Sequence, residues 1–338
     1  MVAGQSTEDP FKQIRPMFGH FERLPNSAQI LHQNPKKRLD SLIRYQTGND
    51  PDGYDLKFTY EYDDNGNLIK FIAYKKTTPA EWLLWLGDEW KYNDNNQMIE
   101  ESCFLMLRSP ESIRKYSERT EYTYKNGRIV ERLVSDSNQK IKNMSSDQKE
   151  YYFYDSNGNM VEKKLYRLMN EAWDFPTRST YHYNTNGLLT KHGDCIFEDG
   201  DCGIKMEFFY DSNNDLIQVI HKKYRRFDLT YQTKGILKNM EEFRYNETSW
   251  EPYRKTEYLL DSLANRTETK ISKWDPITQD WKLDDHTFYE YDNNYPYTEL
   301  LTSLDEGECR HQLLTSHSRD FSSEMEIQYK SVYFWSEL

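Results

Sequence analysis

The chain has 338 residues and a formal net charge of −12, with 36% hydrophobic and 15% aromatic residues. An acidic chain without a basic stripe repels a phosphate backbone, so no nucleic-acid partner is expected. No run approaches the roughly 20 apolar residues of a spanning helix, so no membrane span is expected.

Residues 1–35 carry Pro10, Pro16, Pro25 and Pro35 and read as an irregular N-terminal tether or cap. They lack the charged start and apolar centre of a signal peptide. The chain is therefore expected either to stay inside the cell or to be numbered after a removed signal. Residues 36–305 read as an array of about nine β-hairpin repeats, and 306–338 as terminal capping strands, with Met325 to Trp335 forming a strand pair. Length alone allows two ordinary domains, but self-similarity at a fixed period argues for one continuous array.

The unit is clearest at Phe58 to Tyr74, FTYEYDDNGNLIKFIAY. Tyr60 and Tyr62 alternate with Thr59 and Glu61, the period of a half-buried strand. Asp63-Asp64-Asn65-Gly66 is turn chemistry, with Gly66 supplying positive φ in a three-residue hairpin loop. That register sets Tyr62 opposite Leu68. The same place in later copies holds Asn96, Gly158, Gly187, Asn214 and Gly235, while Lys125-Asn126-Gly127-Arg128 predicts a two-residue turn at Gly127. Six residues after the second aromatic of the pair stand Leu68, Met98, Met160, Leu189, Leu216 and Leu237, all apolar. Ala264 and Tyr295 occupy the glycine place, and there the repeat is expected to have decayed.

A second marker keeps phase with the first. Trp82, Trp173, Trp250 and Trp281 each lie eight residues before an aromatic pair begins. They are expected to cover the join between repeats, or else to form a row of exposed ligand contacts. The joins at Ala80 to Leu86 and Asn138 to Lys149 are each long enough for a helical turn. The fold class predicted is all-β: a single antiparallel meander of about 18 strands, coiled into an open spiral or trough because flat sheets of that width are not expected.

Cys195 and Cys202 flank a predicted turn at Glu198–Asp201 and form a candidate disulfide in an oxidising compartment. The alternative is two free thiols. None of the eight histidines falls in a metal-ligand spacing, and no nucleophile motif or phosphate loop occurs. Asp63-x-Asn65-x-Asn67 begins like a calcium loop but lacks its sixth-place Gly and closing Glu. No cofactor, metal or catalytic residue is assigned.

The segments YEYDDNGNLIK, FYDSNGNMVEK and YLLDSLANRTE resemble the tyrosine–aspartate (YD, Rhs-like) repeats of bacterial surface and toxin-shell proteins. With the added Trp, as in SKWDPITQDWKLDDHTFYEYD, the similarity is closest to repeats of surface proteins exported by the type IX route. The resemblance implies a secreted or cell-surface β-repeat scaffold outside the inner membrane. The expected function is non-enzymatic binding of a surface glycan or protein partner. The alternatives are a structural subunit of an outer-surface or secretion assembly, and a glycan-active enzyme with a site in the trough.

Overall fold

The computed structural model describes residues 37–47, 55–78, 81–105, 115–136, 147–169, 172–195, 203–222, 224–296, 300–301, 311–320 and 327–337. The predicted tether, residues 1–35, lies outside them. In chain order the strands are β1 (Lys37–Thr47), β2 (Leu56–Tyr62), β3 (Leu68–Thr78), β4 (Glu81–Tyr92), β5 (Met98–Leu105), β6 (Lys115–Lys125) and β7 (Arg128–Asp136). Next come β8 (Gln148–Tyr154), β9 (Met160–Met169), β10 (Ala172–Tyr183), β11 (Leu189–Cys195), β12 (Gly203–Tyr210), β13 (Leu216–His221) and β14 (Arg225–Thr233). The last are β15 (Ile236–Tyr245), β16 (Trp250–Leu260), β17 (Arg266–Asp275), β18 (Asp280–Pro296), β19 (Leu300–Leu301), β20 (His311–Asp320) and β21 (Ile327–Glu337). Within the join predicted at Ala80 to Leu86, residues 81–86 are strand rather than helical turn, and within Met325 to Trp335 residues 327–335 belong to one strand.

Contacts divide the described residues into two compact units, one within residues 88–222 and one of residues 37–87 with residues 224–337. In the first, β5 to β13 pair in sequence order, each antiparallel to the next. In the second, β14 to β18 do the same, and β18, β20, β21, β1, β2 and β3 continue the series. The two-residue β19 adds a parallel pairing to β1.

The pairing of β1 with β21 corrects the expected architecture. The first and last strands of the chain are hydrogen-bonded from Lys37↔Glu337 to Thr47↔Gln328. This is the connectivity of a closed β-barrel, not of an open spiral or trough. Closure gives the end strands partners and removes an exposed pairing edge. The join is made by a split repeat. Trp335 opposes Leu39 with a register shift beside it, as Tyr62 opposes Leu68 in β2–β3. One repeat thus takes its aromatic strand from the C-terminal end and its second strand from the N-terminal end.

The turns explain why each hairpin forms. Gly66, Gly158, Gly187 and Gly235 have φ of 80°, 92°, 76° and 70°, and Asn96 and Asn214 have 56° and 68°. Asn126 and Gly127, at 51° and 77°, make the two-residue turn that sets Tyr124 opposite Ile129. In the three-residue loops the first Asp or Asn ties the turn down. Asp63 Oδ1 accepts from the backbone N–H of Asn65 and Asn67, at 3.0 and 2.8 Å. Asn93, Asp155, Asn184, Asp211 and Asp261 accept from the corresponding N–H four residues on. The copy expected to have decayed at Ala264 keeps the loop, with Ala264 itself at φ 63°. At Tyr295 no turn forms, because β18 runs on to Pro296 and the partner strand is β20.

The second aromatic of each pair also joins neighbouring repeats. Tyr124, Tyr154, Tyr183 and Tyr210 donate their hydroxyls to the carbonyls of Met98, Ile129, Met160 and Leu189, at 2.8 to 2.9 Å. Tyr291 donates to Arg266 O, and Trp335 Nε1 to Leu313 O. Met98, Met160, Leu189 and Arg266 open β5, β9, β11 and β17, while Ile129 and Leu313 lie one and two residues inside β7 and β20. Tyr62 is the exception: its hydroxyl is buried without a hydrogen-bond partner.

Candidate functional site

Because side chains alternate across a strand, the repeat register fixes two faces within each unit. One carries the aromatic pairs and is called here the tyrosine face. In the second unit the other face carries ion pairs, Lys70–Glu61 across β2–β3 at 3.4 Å and Lys270–Glu268 along β17 at 3.1 Å, and His286 on β18 meets Glu268 at 2.9 Å.

A cavity of about 410 Å³ opens on the tyrosine face of the second unit, across β17, β18, β20, β21 and β1. Its origin can be read from the register. Ser331 stands opposite Ser316, Ser316 opposite Tyr289, and Ser318 opposite Thr287. Small hydroxyl side chains therefore occupy successive positions of a face that elsewhere carries aromatic residues. Tyr289, Tyr329, Tyr333 and Leu313 wall the resulting gap. Leu313 is fully buried and packs against Tyr289, Tyr291, Tyr333 and Trp335, which holds this wall in place.

Two guanidinium groups reach the cavity. Arg44 stands opposite Ser331 across β1–β21. Arg266 opens β17, and its guanidinium lies 4.2 Å from the Tyr258 ring centroid, a cation–π distance. Burial pushes the Tyr258 phenol up, and the Arg266 charge opposes that shift without cancelling it. Among the described residues neither arginine forms an ion pair, whereas Arg119, Arg132 and Arg178 each meet a carboxylate. Asp285 is the one carboxylate in the lining, and it accepts a hydrogen bond from Thr287 Oγ1 at 3.2 Å. The hydroxyls of Ser316, Ser318 and Ser331 have no hydrogen-bond partner among the described residues, although Ser331 is only 4% exposed. The cavity therefore offers hydroxyls without partners and cationic charge that no carboxylate neutralises among the described residues, although each guanidinium also lies over a ring, Arg266 over Tyr258 and Arg44 over Phe58 at 6.0 Å.

The four marker tryptophans lie elsewhere. Trp173 is exposed, and Trp82, Trp250 and Trp281 are half-buried. Trp250 and Trp281 are on the charge-bearing face of the second unit, and Trp173 is on the face of the first unit opposite its aromatic pairs. Lys76 lies over Trp82, Lys149 over Trp173 and Arg226 over Trp250, while Trp281 meets Trp274 edge-on. An offset of eight would place a Trp on the same face as the following Tyr. Register shifts between Asp174 and Thr177, at Glu242/Phe243 and at Ile271/Ser272 each add a residue and turn the Trp to the other side. Cys195 is disulfide-bonded. Cys202, its predicted partner, lies outside the described residues, and Cys103 is not in a disulfide.

A second polar cluster, in the first unit, is structural in form. Glu150, 1% exposed, meets Arg132 at 3.2 Å, Lys163 at 3.1 Å and the Tyr152 hydroxyl at 2.5 Å. Burial disfavours its ionised form, yet Lys163, Tyr152 and Arg132 outweigh burial and hold the carboxyl below its usual range.

No family model matches the chain, and no curated protein matches it in sequence. Among solved structures, a TcdB2–TccC3 toxin chain is 10% identical with a TM-score of 0.34, over 83% of this chain and 16% of that one. A porin-like protein from Bacteroides uniformis is 8% identical with a TM-score of 0.34, over 90% of this chain and all of that one. A DUF3836 family protein from Parabacteroides distasonis is 12% identical with a TM-score of 0.20, over 30% of this chain and 85% of that one. The chain thus spans about a sixth of the toxin chain's length. The likeness to that toxin is weak, and no family match supports the finer assignment to YD repeats.

Of the cavity residues the repeat pattern marks only Tyr289, as an aromatic of the last pair, and the sequence assigns none of them a binding role. One signal was present: Arg266 takes the place, six residues after Leu260, that is apolar in the other well-formed copies. The serines gave none, because their convergence depends on β20 pairing with β18 and β21, whereas the repeat pattern pointed to a turn at Tyr295.

Proposed function

We propose that the protein is a non-enzymatic β-repeat scaffold of the cell exterior that binds a glycan or protein partner. The observation that carries this reading is the cavity on β17, β18, β20, β21 and β1, with two arginines lacking ion pairs and three serine hydroxyls lacking partners. Groups left unsatisfied in a partly enclosed site favour a ligand that can satisfy them. The lining holds one carboxylate, Asp285, whereas glycoside hydrolysis by the usual route needs two. That supports recognition over turnover.

The exterior location draws support from the disulfide at Cys195, a bond that persists in oxidising compartments. Passage through lipid is disfavoured by the chain's own side chains. A membrane barrel presents an apolar band about 25 Å tall on one face. In the second unit one face carries the Lys–Glu pairs, and the other carries Arg44, Arg225, Glu242, Arg244 and Arg254. The decisive experiment is a glycan and peptide array probed with the full chain, followed by product analysis of each captured ligand. Saturable capture without turnover is expected. Turnover abolished by Asp285→Asn would replace this reading with the enzymatic one.

A further inference from the structure

The geometry points to an acidic saccharide, a short glycan bearing carboxylates, as the ligand class of the cavity at the closure of the sheet. This inference rests on the binding reading above and specifies its chemistry. The charged lining is two guanidiniums against one carboxylate, an excess of positive charge in a chain of net charge −12. Local charge opposite to the overall charge selects for an anion where an uncharged ligand would gain nothing from it. Guanidinium groups pair with carboxylates through two parallel hydrogen bonds, and here no protein carboxylate occupies that role.

The rest of the lining matches a sugar. Ser316, Ser318 and Ser331 present hydroxyls that both donate and accept, as sugar hydroxyls do. Tyr289, Tyr329 and Tyr333 add amphipathic rings whose apolar bodies suit the C–H faces of a pyranose. Arg44 on β1 and Arg266 on β17 are four strand spacings apart, about 19 Å along the sheet at ~4.8 Å per strand. The floor between them is extended, which suits a chain of sugars better than a small inorganic anion. A peptide is less well served. Peptides gain affinity on sheets by adding to a free edge, and β17, β18, β20, β21 and β1 are all paired on both sides.

The test is titration calorimetry of the full chain with a galacturonic acid disaccharide, its neutral galactose counterpart and tetraglutamate. The acidic disaccharide is expected to bind saturably, more weakly as salt is raised, and about tenfold or more tighter than the neutral one. A disaccharide is shorter than the ~19 Å between the two strands, so at least one of Arg266→Gln and Arg44→Gln should weaken it by about tenfold, with only the small change in melting temperature that loss of a ring contact brings. Ser316→Tyr, which fills the cavity and leaves both arginines in place, should abolish binding. Equal binding of the neutral disaccharide would overturn the acidic specificity and leave the binding reading standing. Tetraglutamate binding alone would overturn the saccharide assignment in favour of an acidic peptide. No saturable binding of the disaccharide, or binding unaffected by all three substitutions, would overturn the site.

Discussion

The hydroxyl ladder between repeats makes a prediction with its own internal control. Tyr291 and Tyr62 occupy the same repeat position in the same unit. The Tyr291 hydroxyl donates to Arg266 O at 3.0 Å, whereas the buried Tyr62 hydroxyl donates to nothing. Replacing Tyr291 by Phe keeps the ring and removes one hydrogen bond, a net loss of about 0.5–1.5 kcal/mol, rising towards 2 if the carbonyl stays dry. Replacing Tyr62 by Phe removes a polar atom whose burial is uncompensated, so the change should be neutral or stabilising by up to about 1 kcal/mol. The two variants should then differ by roughly 1–3 kcal/mol. For a folding unit of 150–250 residues, each kcal/mol moves the melting temperature by about 2–4 °C. Thermal unfolding at pH 7 therefore resolves them, with urea midpoints as the second measure. Equal destabilisation by both substitutions would refute the idea that the ladder bond, rather than the ring, holds adjacent repeats together.

Ala264→Gly should raise stability by about 0.5–1 kcal/mol, since Ala264 sits at φ 63° where an L side chain costs ~1–2 kcal/mol and glycine gives some of this back in unfolded-state entropy. A lowered melting temperature would count against it. Glu150→Ala should cost about 3–5 kcal/mol by stranding Arg132 and Lys163, and replacing all three by apolar residues should recover most of the loss, as urea unfolding would show. The Glu150 carboxyl is held low, so its stabilisation is present above the ordinary glutamate range and is lost as pH falls through the folded value. At high pH the order reverses. Burial pushes the Tyr124, Tyr154, Tyr181 and Tyr210 phenols up to about 12, so stability should hold below about pH 10 and fall as pH rises through 12. Phenolate absorbance that appears below pH 10 in the folded protein would contradict this. Non-reducing peptide mapping should recover Cys195 joined to Cys202; alkylation of both in native material would reject that pairing.

Local chemistry was legible in the sequence, and long-range closure was not. Asp63, Asn65 and Gly66 encode a turn within five residues, so the loop and the pairing of Tyr62 with Leu68 follow from adjacent residues alone. The face of Trp173 depends on a bulge that no residue type announces, so the eight-residue offset does not by itself fix the side of the strand. The partner of β18 could not be foreseen either, because the turn expected at Tyr295 is missing and the next strand in the sheet begins at His311. Closure itself pairs Leu39 with Trp335, and neither residue carries a local mark of the other. The cavity inherits part of that difficulty, since β17, β18, β20 and β21 pair in series while β1, which carries Arg44, joins them only through the pairing of the chain's first and last strands.

The split repeat also sets the order in which the molecule can be completed. Lys37 and Glu337 are 300 residues apart, yet they form one rung of a ladder. Loop-closure entropy scales as (3/2)RT ln n, so this contact costs about 2.4 kcal/mol more than closing a 20-residue hairpin. During synthesis or export β1 emerges early and one of its two neighbours emerges last. Until then its outer edge is open to any other strand, including the same edge on a second molecule. A chain cut before Ile327 would keep that edge open permanently, and its characteristic fate would be self-association by exchange of ends.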